Sequence, residues 1–219
     1  MPDVPVARSP IQPAPPTEVR AGWLVSVLPS HGPLRLSDRS PLAKVLVRAS
    51  PRGRVAARLG VPFGRARRDQ DDVLIIGSGP DEWLLLAPPD ARQVVAGSID
   101  TTDDEAVSVV DVTHGRALMR LSGADAHRVL AKLCAIDLSD AATPNGAAFR
   151  SSVAAVATDV IRDDQRNDTE PSYLLHCERS AGQYLFDALR DAGREFGLQV
   201  EGFLIDSAES EVLAGDDRR

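Results

Sequence analysis

Apolar positions along this chain fall into two rhythms. Leu74-Ile75-Ile76 and Trp83-Leu84-Leu85-Leu86 are nearly continuous runs on either side of Gly79-Pro80-Asp81-Glu82, which predicts a buried strand pair joined by a tight turn. From Ser180 onward, Ala181, Tyr184, Leu185, Ala188, Leu189, Ala192 and Phe196 recur every three or four residues. That spacing predicts a helix, and Gly197 is placed to stop it in a left-handed cap.

The same rhythms place the remaining elements. Residues 44–49 read as a strand, 54–60 as a short helix, 72–77 and 82–87 as the strand pair, and 89–97 as a second helix. A second half opens with a strand at 106–112, turns at Thr113-His114-Gly115 and continues as a strand through 116–121. Ser122, with Asp125 three residues on, reads as an acidic capping box. It would open a helix carrying Ala126, Val129, Leu130, Leu133 and Cys134 on one face. Residues 147–161 and 172–177 read as another strand pair separated by the polar loop 162–171, before the helix after Ser180. Two strand–helix–strand–strand–helix halves predict an α+β fold of duplicated split βαβ half-units, with mainly antiparallel sheet covered by helices.

Composition limits what surrounds this pattern. At 219 residues, one domain spanning 21–200 is expected. Residues 1–20 hold six prolines and little to bury, so they read as an arm, either a disordered leader or an extended strap laid over a partner. Residues 201–219 form an acidic tail with one apolar cluster, Phe203-Leu204-Ile205. No apolar run approaches the ~18 residues of a membrane span, and the first residues carry no secretory signal, so a cytoplasmic protein is expected. A formal charge of −7 argues against nucleic acid. Only Arg48, Arg52, Arg54, Arg58, Arg65, Arg67 and Arg68 crowd together, a solvated or interface-facing patch followed by Asp69, Asp71 and Asp72.

Candidate chemistry is sparse. Gly77-Ser78-Gly79 lacks the third glycine and the following helix of a dinucleotide loop, and Ser78 has no nucleophile elbow. Asp81 and Glu82, adjacent on a strand, point to opposite faces and cannot act as an acid pair. Cys134 and Cys177 read as buried reduced thiols, and His31, His114, His127 and His176 are too scattered for a metal. Asp111, Thr113, His114 and Arg116 form a general acid–base set in outline. Ordinary turn chemistry explains the same letters, with Asp111 and Thr113 bonding nearby amides and Gly115 at positive φ. No catalytic residue is assigned, and His114 and Arg116 are kept only as candidates for a binding pocket.

Several words carry a resemblance: Ser40-Pro41-Leu42-Ala43, Gly79-Pro80-Asp81-Glu82-Trp83-Leu84-Leu85, Val110-Asp111-Val112-Thr113-His114-Gly115-Arg116, Leu121-Ser122-Gly123, and 129–138, which ends in Leu133-Cys134-Ala135-Ile136-Asp137-Leu138. In this order, over residues 40–197, they resemble the gamma subunit of heterotetrameric sarcosine oxidase. That family is similar in fold to the folate-binding domain of glycine-cleavage-type aminomethyltransferases. The resemblance implies an accessory, structural subunit with no active site of its own. It implies alpha and beta flavoprotein partners, with a delta subunit as a further candidate, which hold FAD, FMN, NAD and tetrahydrofolate and oxidise sarcosine to glycine. Thr113 stands where the family usually has serine, and a related N-methyl amino acid would suit the same words. The chain ends before the barrel-like domain of the folate enzymes, which argues against an independent folate enzyme. The alternatives are a free-standing folate- or one-carbon-binding protein, with His114 and Arg116 as its folate-pocket candidates at the interface of the half-units, and a small homodimeric scaffold.

Overall fold

The computed structural model describes residues 5–99, 106–164 and 170–203. In chain order its elements are β1 (Ala7–Arg8), β2 (Thr17–Arg20), β3 (Trp23–Ser26), β4 (Leu34–Asp38), β5 (Ala43–Arg48), α1 (Arg54–Leu59), β6 (Ala66–Arg68), β7 (Leu74–Gly79), β8 (Glu82–Ala87) and α2 (Arg92–Gly97). They continue with β9 (Ser108–Asp111), β10 (Arg116–Gly123), α3 (Ala126–Ala131), β11 (Ala148–Val153), β12 (Val156–Arg162), β13 (Ser172–Glu178), α4 (Gly182–Gly193) and β14 (Gln199–Glu201).

Two sheets repeat one plan. The five-stranded sheet runs β6-β7-β8-β5-β9 and the six-stranded sheet runs β11-β12-β13-β10-β4-β14. The order β6-β7-β8-β5 is thus matched by β11-β12-β13-β10, as a duplication requires. Pairing within both sheets is antiparallel except for β14 beside β4. The fold is α+β, as the periodicity predicts.

Strand alternation builds three apolar layers. On β10, Ala117, Met119 and Leu121 join Leu185 and Leu189 of α4 and Val129 and Leu130 of α3. On β5 and β8, Val45, Val47, Trp83 and Leu85 join Val55 of α1 and Val95 of α2. The opposite strand faces meet each other, with Leu74, Ile76, Leu84 and Leu86 of one sheet against Leu118, Ile161 and Leu174 of the other. Helices therefore cover only the outer face of each sheet. At about 25 cal/mol per Å2 of apolar area, these three layers supply the main drive to fold.

Four local expectations fail. Residues 147–161 are not one strand but the hairpin β11–β12, turning at Ala154 and Ala155 with φ of 49° and 64°. A two-residue turn with both φ positive matches the twist of a hairpin, but it is normally written with Asn or Gly. Ser122 does not cap α3. It lies inside β10, paired with Ser172 on one side and Arg35 on the other, and α3 starts after Asp125 with no side-chain cap. Ladder bonds on both edges outcompete a local cap. Leu133 and Cys134 lie past the end of α3 but still pack on its core. Gly115 does not take positive φ, because 113–115 closes as a 3-10 turn.

The Pro-rich segment runs along this chain's own surface over its described part. Strands β1, β3 and β2 form a small sheet, Ile11 is buried in the α4 layer, and the Ser9 hydroxyl donates to Asp38. At the other end Phe203 packs on Trp23 and Val25, while Leu204 and Ile205 lie outside the described residues. Among the described residues no helix is long and apolar enough to cross a membrane.

Candidate functional site

His114 sits where the chain's segments converge. The 3-10 turn 113–115 joins β9 to β10, and it is anchored because Thr113 donates its amide to Asp111 Oδ1 at 2.9 Å. Lys44 in turn donates its own amide to Thr113 Oγ1 at 3.0 Å. Asp111 and Thr113 therefore do the turn work their letters suggest. Burial opposes the Asp111 carboxylate, but hydrogen bonding from Thr113 outweighs it and holds the Asp111 carboxyl below its usual range.

Around this turn lies a cleft of about 810 Å3, walled by the arm (Pro5–Arg8 and Ala21–Trp23), Pro89, Asp90, Arg92 and Gln93 at the entry to α2, His114 and Arg179. The His114 ring stacks on the Trp23 indole with centroids 4.7 Å apart and planes 11° apart. Arg92 Nη1 lies 3.4 Å from His114 Nε2. Partial burial and the Arg92 charge lower the His114 pKa, so the ring is neutral at pH 7. Arg179 donates to the carbonyls of His114 (3.2 Å) and Arg8 (2.8 Å), tying the arm to the turn.

Arg116 is elsewhere. It ion-pairs with Glu178 across the β10–β13 ladder and does not line the cleft. The guanidiniums beside His114 are Arg92 and Arg179. Trp23, Arg92 and Arg179 escaped the sequence reading because they lie in segments with no motif, and only the topology brings them to residue 114. Trp83 is core, its indole N–H donating to the Val61 carbonyl at 2.8 Å. Cys134 and Cys177 are unpaired, and burial pushes the Cys177 thiol up to about 11.

A second polar group lies between the sheets. His176 of β13, 5% exposed, contacts Asp159 Oδ2 through Nδ1 at 3.0 Å, while no described group meets its buried Nε2. Asp159 also accepts from Arg150 Nε at 2.6 Å. Lys44, fully buried, donates Nζ to the carbonyls of Ser40 (2.7 Å) and Leu42 (2.8 Å). Burial pushes this ammonium down to about 7 despite the nearby Asp38 and Asp111. Among the described residues no three His, Cys, Asp or Glu side chains converge as metal ligands.

Comparison with known proteins accounts for the repeated sheet plan. Residues 63–204 match the family described as the GCVT N-terminal domain. The chain is 33% identical over 128 residues to an aminomethyltransferase of Geobacillus thermodenitrificans, covering 58% of this chain and 34% of that protein. It is 31% identical over 115 residues to sarcosine oxidase subunit gamma of a Corynebacterium species, covering 49% of this chain and 56% of that one. The chain thus spans about a third to just over half of the length of these curated relatives. Among solved structures, a chain of the heterotetrameric sarcosine oxidase from Corynebacterium sp. U-96 superposes with a TM-score of 0.62 at 24% identity, over 79% of this chain and 85% of that one. The aminomethyltransferase T of the Bartonella henselae glycine cleavage system superposes with a TM-score of 0.66 at 15% identity, over 85% of this chain and 55% of that one. The two matching sheet orders, the αββα layering and a family match over residues 63–204 agree, and the chain belongs to the GCVT N-terminal domain family.

Proposed function

We propose that this chain is an accessory subunit of the gamma type in a heterotetrameric sarcosine oxidase, contributing structure and no active site of its own. The observation that carries the reading is its 31% identity to a protein named sarcosine oxidase subunit gamma. The cleft chemistry supports it. The His114 ring face is taken by Trp23 and Arg179 is spent on backbone carbonyls, while Arg116 lies outside the cleft and is paired with Glu178.

In this reading, alpha and beta flavoprotein subunits, with a delta subunit, hold FAD, FMN, NAD and tetrahydrofolate in the cytoplasm and demethylate sarcosine to glycine. The chain fixes the geometry of its partners. The domain is taken as residues 21–200, with 1–20 as its arm and 201–219 as its tail. The test is a tagged pull-down of the full chain from its native cells, with an absorbance spectrum of what co-purifies. Stoichiometric yellow subunits that oxidise sarcosine while this chain is bound are expected; a colourless, solitary chain would overturn the reading.

The 33% identity to an aminomethyltransferase favours one second reading, a free-standing folate- or one-carbon-binding protein that uses the cleft beside His114. Micromolar binding of tetrahydrofolate by the isolated chain, lost in His114→Ala, is its expected result.

A further inference from the structure

One feature of the arginine-rich stretch is absorbed neither by the fold nor by the cleft. Phe63 is 62% exposed, although its loop is among the most firmly held segments of the chain. Trp83 bonds the Val61 carbonyl from the core side. Gly64 donates to Gly77 at 3.0 Å, Gly77 donates back to Arg65 at 2.9 Å, and Arg65 donates to Pro62 at 3.2 Å. From the other sheet, Ala148 donates to Gly64 at 3.0 Å, while Ala66 donates to Gly146 at 2.8 Å. The approach to β7 is so close that a Cβ on Gly77 would stand 2.2 Å from the Pro62 carbonyl oxygen. The loop thus bridges the outer strands of both sheets, and the aromatic ring is held out in a fixed place.

Its neighbours are cations. Phe63, Arg65 and Arg67 are exposed and alternate with the half-buried Gly64, Ala66 and Arg68. Arg67 reaches back to the end of α1, where its Nη2 lies 3.5 Å from the position a Cβ would take on Gly60, two residues after Arg58. Among the described residues no carboxylate pairs with Arg58, Arg65 or Arg67. Among the described residues, a chain with net charge −7 therefore shows a local surface of guanidiniums without carboxylate partners around a rigid phenyl ring.

We propose that Phe63, Arg58, Arg65 and Arg67 form the docking face for a larger subunit of the assembly, one that presents an apolar recess rimmed by carboxylates. This rests on the accessory-subunit reading and names the surface it uses. Guanidiniums pair carboxylates in forked geometry. Buried aromatic and Arg anchors dominate protein interfaces, and an anchor already fixed costs little entropy on docking. Nucleic acid fits worse, since a lone aromatic offers no stacking series and the chain as a whole is acidic.

The test uses the full tagged chain from native cells, scored by flavin absorbance near 450 nm per mole of chain. It compares wild type, Phe63→Ala, the pair Arg65→Glu with Arg67→Glu, and Arg190→Glu on exposed α4 as a control, with melting curves to verify folding. Phe63→Ala is expected to reduce retained flavoprotein at least tenfold. The double charge reversal should do the same and abolish the salt dependence of capture, and Arg190→Glu should change nothing. If wild type carries flavoprotein and the folded variants carry as much, the docking face is wrong and the accessory role stands. A wild-type chain without flavoprotein overturns both, whereas an effect of the variants on co-purifying nucleic acid alone overturns the docking face.

Discussion

Asp163 and Lys44 are both buried between the two sheets, yet their surroundings differ in kind. Asp163 Oδ2 receives Arg120 of the six-stranded sheet at 2.6 Å and Arg68 of the five-stranded sheet at 2.8 Å. Arg120 also donates to Ser172 Oγ at 2.6 Å. Burial works against the Asp163 carboxylate, but the two guanidiniums win and hold its pKa below the usual range. Among the described residues, the Lys44 ammonium has two carbonyl oxygens and no carboxylate in contact. Between these groups lies the apolar part of the layer, with Leu174 on β13 separating Ser172 from His176. A charge inside this layer is therefore tolerated in two ways: by full pairing, or by giving up its proton near neutral pH.

Asp163→Ala is the sharpest way to break the paired end. It leaves Arg120, 7% exposed, without its counter-charge. Removing one partner of a buried pair costs about 3–5 kcal/mol, to be read as a shift in urea-unfolding midpoint at unchanged slope. A loss under about 1 kcal/mol would mean that solvent reaches the brace and that the contrast with Lys44 is false.

Lys44→Met probes the other end through pH. The folded pKa, about 7, lies below the unfolded value near 10.5. Between those values the unfolded chain carries the extra proton, so stability rises with pH across that window and the cost of burying the ammonium is fully present below it. The wild-type chain should gain up to about 1.4 kcal/mol per pH unit relative to Lys44→Met between pH 7 and 10, measured by urea unfolding at each pH. Parallel curves for the two proteins would place a counter-charge beside Lys44.

How much of this was legible beforehand depends on the range of the interaction. The helix after Ser180 and the strand pair around Pro80 follow from local periodicity, and both appear as α4 and β7–β8. Strands β3, β4 and β14 carry weak patterns, and they exist because neighbouring strands complete their ladders. Lys44 reads as a polar position in a strand, and nothing local says that its other face is roofed by a second sheet. The cleft is similar. His114 was visible, but its partners Trp23, Arg92 and Arg179 are 91, 22 and 65 residues away in sequence, and Arg116, the nearer candidate, belongs to a cross-strand pair.

His176 stands between the two extremes, since one ring nitrogen is paired and the other is not. Burial lowers its pKa below the ordinary value of 6.5, against the pull of Asp159. The unfolded chain therefore binds the proton first as pH falls, and stability contributed by the neutral ring is lost on acidification below about 6.5. His176→Gln keeps an N–H for Asp159 and cannot titrate. Between pH 7 and 5 it should lose less stability than wild type, by on the order of 1 kcal/mol in thermal or urea unfolding.

The smallest expected effect concerns Arg150, which makes the same kind of contact as Arg120 from the outside of the layer. Its guanidinium bonds Asp159 at 2.6 Å, but its side chain is 60% exposed whereas that of Arg120 is 8% exposed. Solvent already stabilises the exposed charge, so its removal leaves nothing stranded, and Asp159 keeps His176 as a partner. Arg150→Ala should therefore cost about 0.2–1 kcal/mol, and the cost should shrink in 0.5 M salt. Arg120→Ala at the paired end should cost several times more, with little response to salt, because Asp163 is shielded from counterions. If the two substitutions cost the same and respond alike to salt, burial is not what distinguishes the ends of the layer, and the pairing distances alone would have to account for the Asp163 brace.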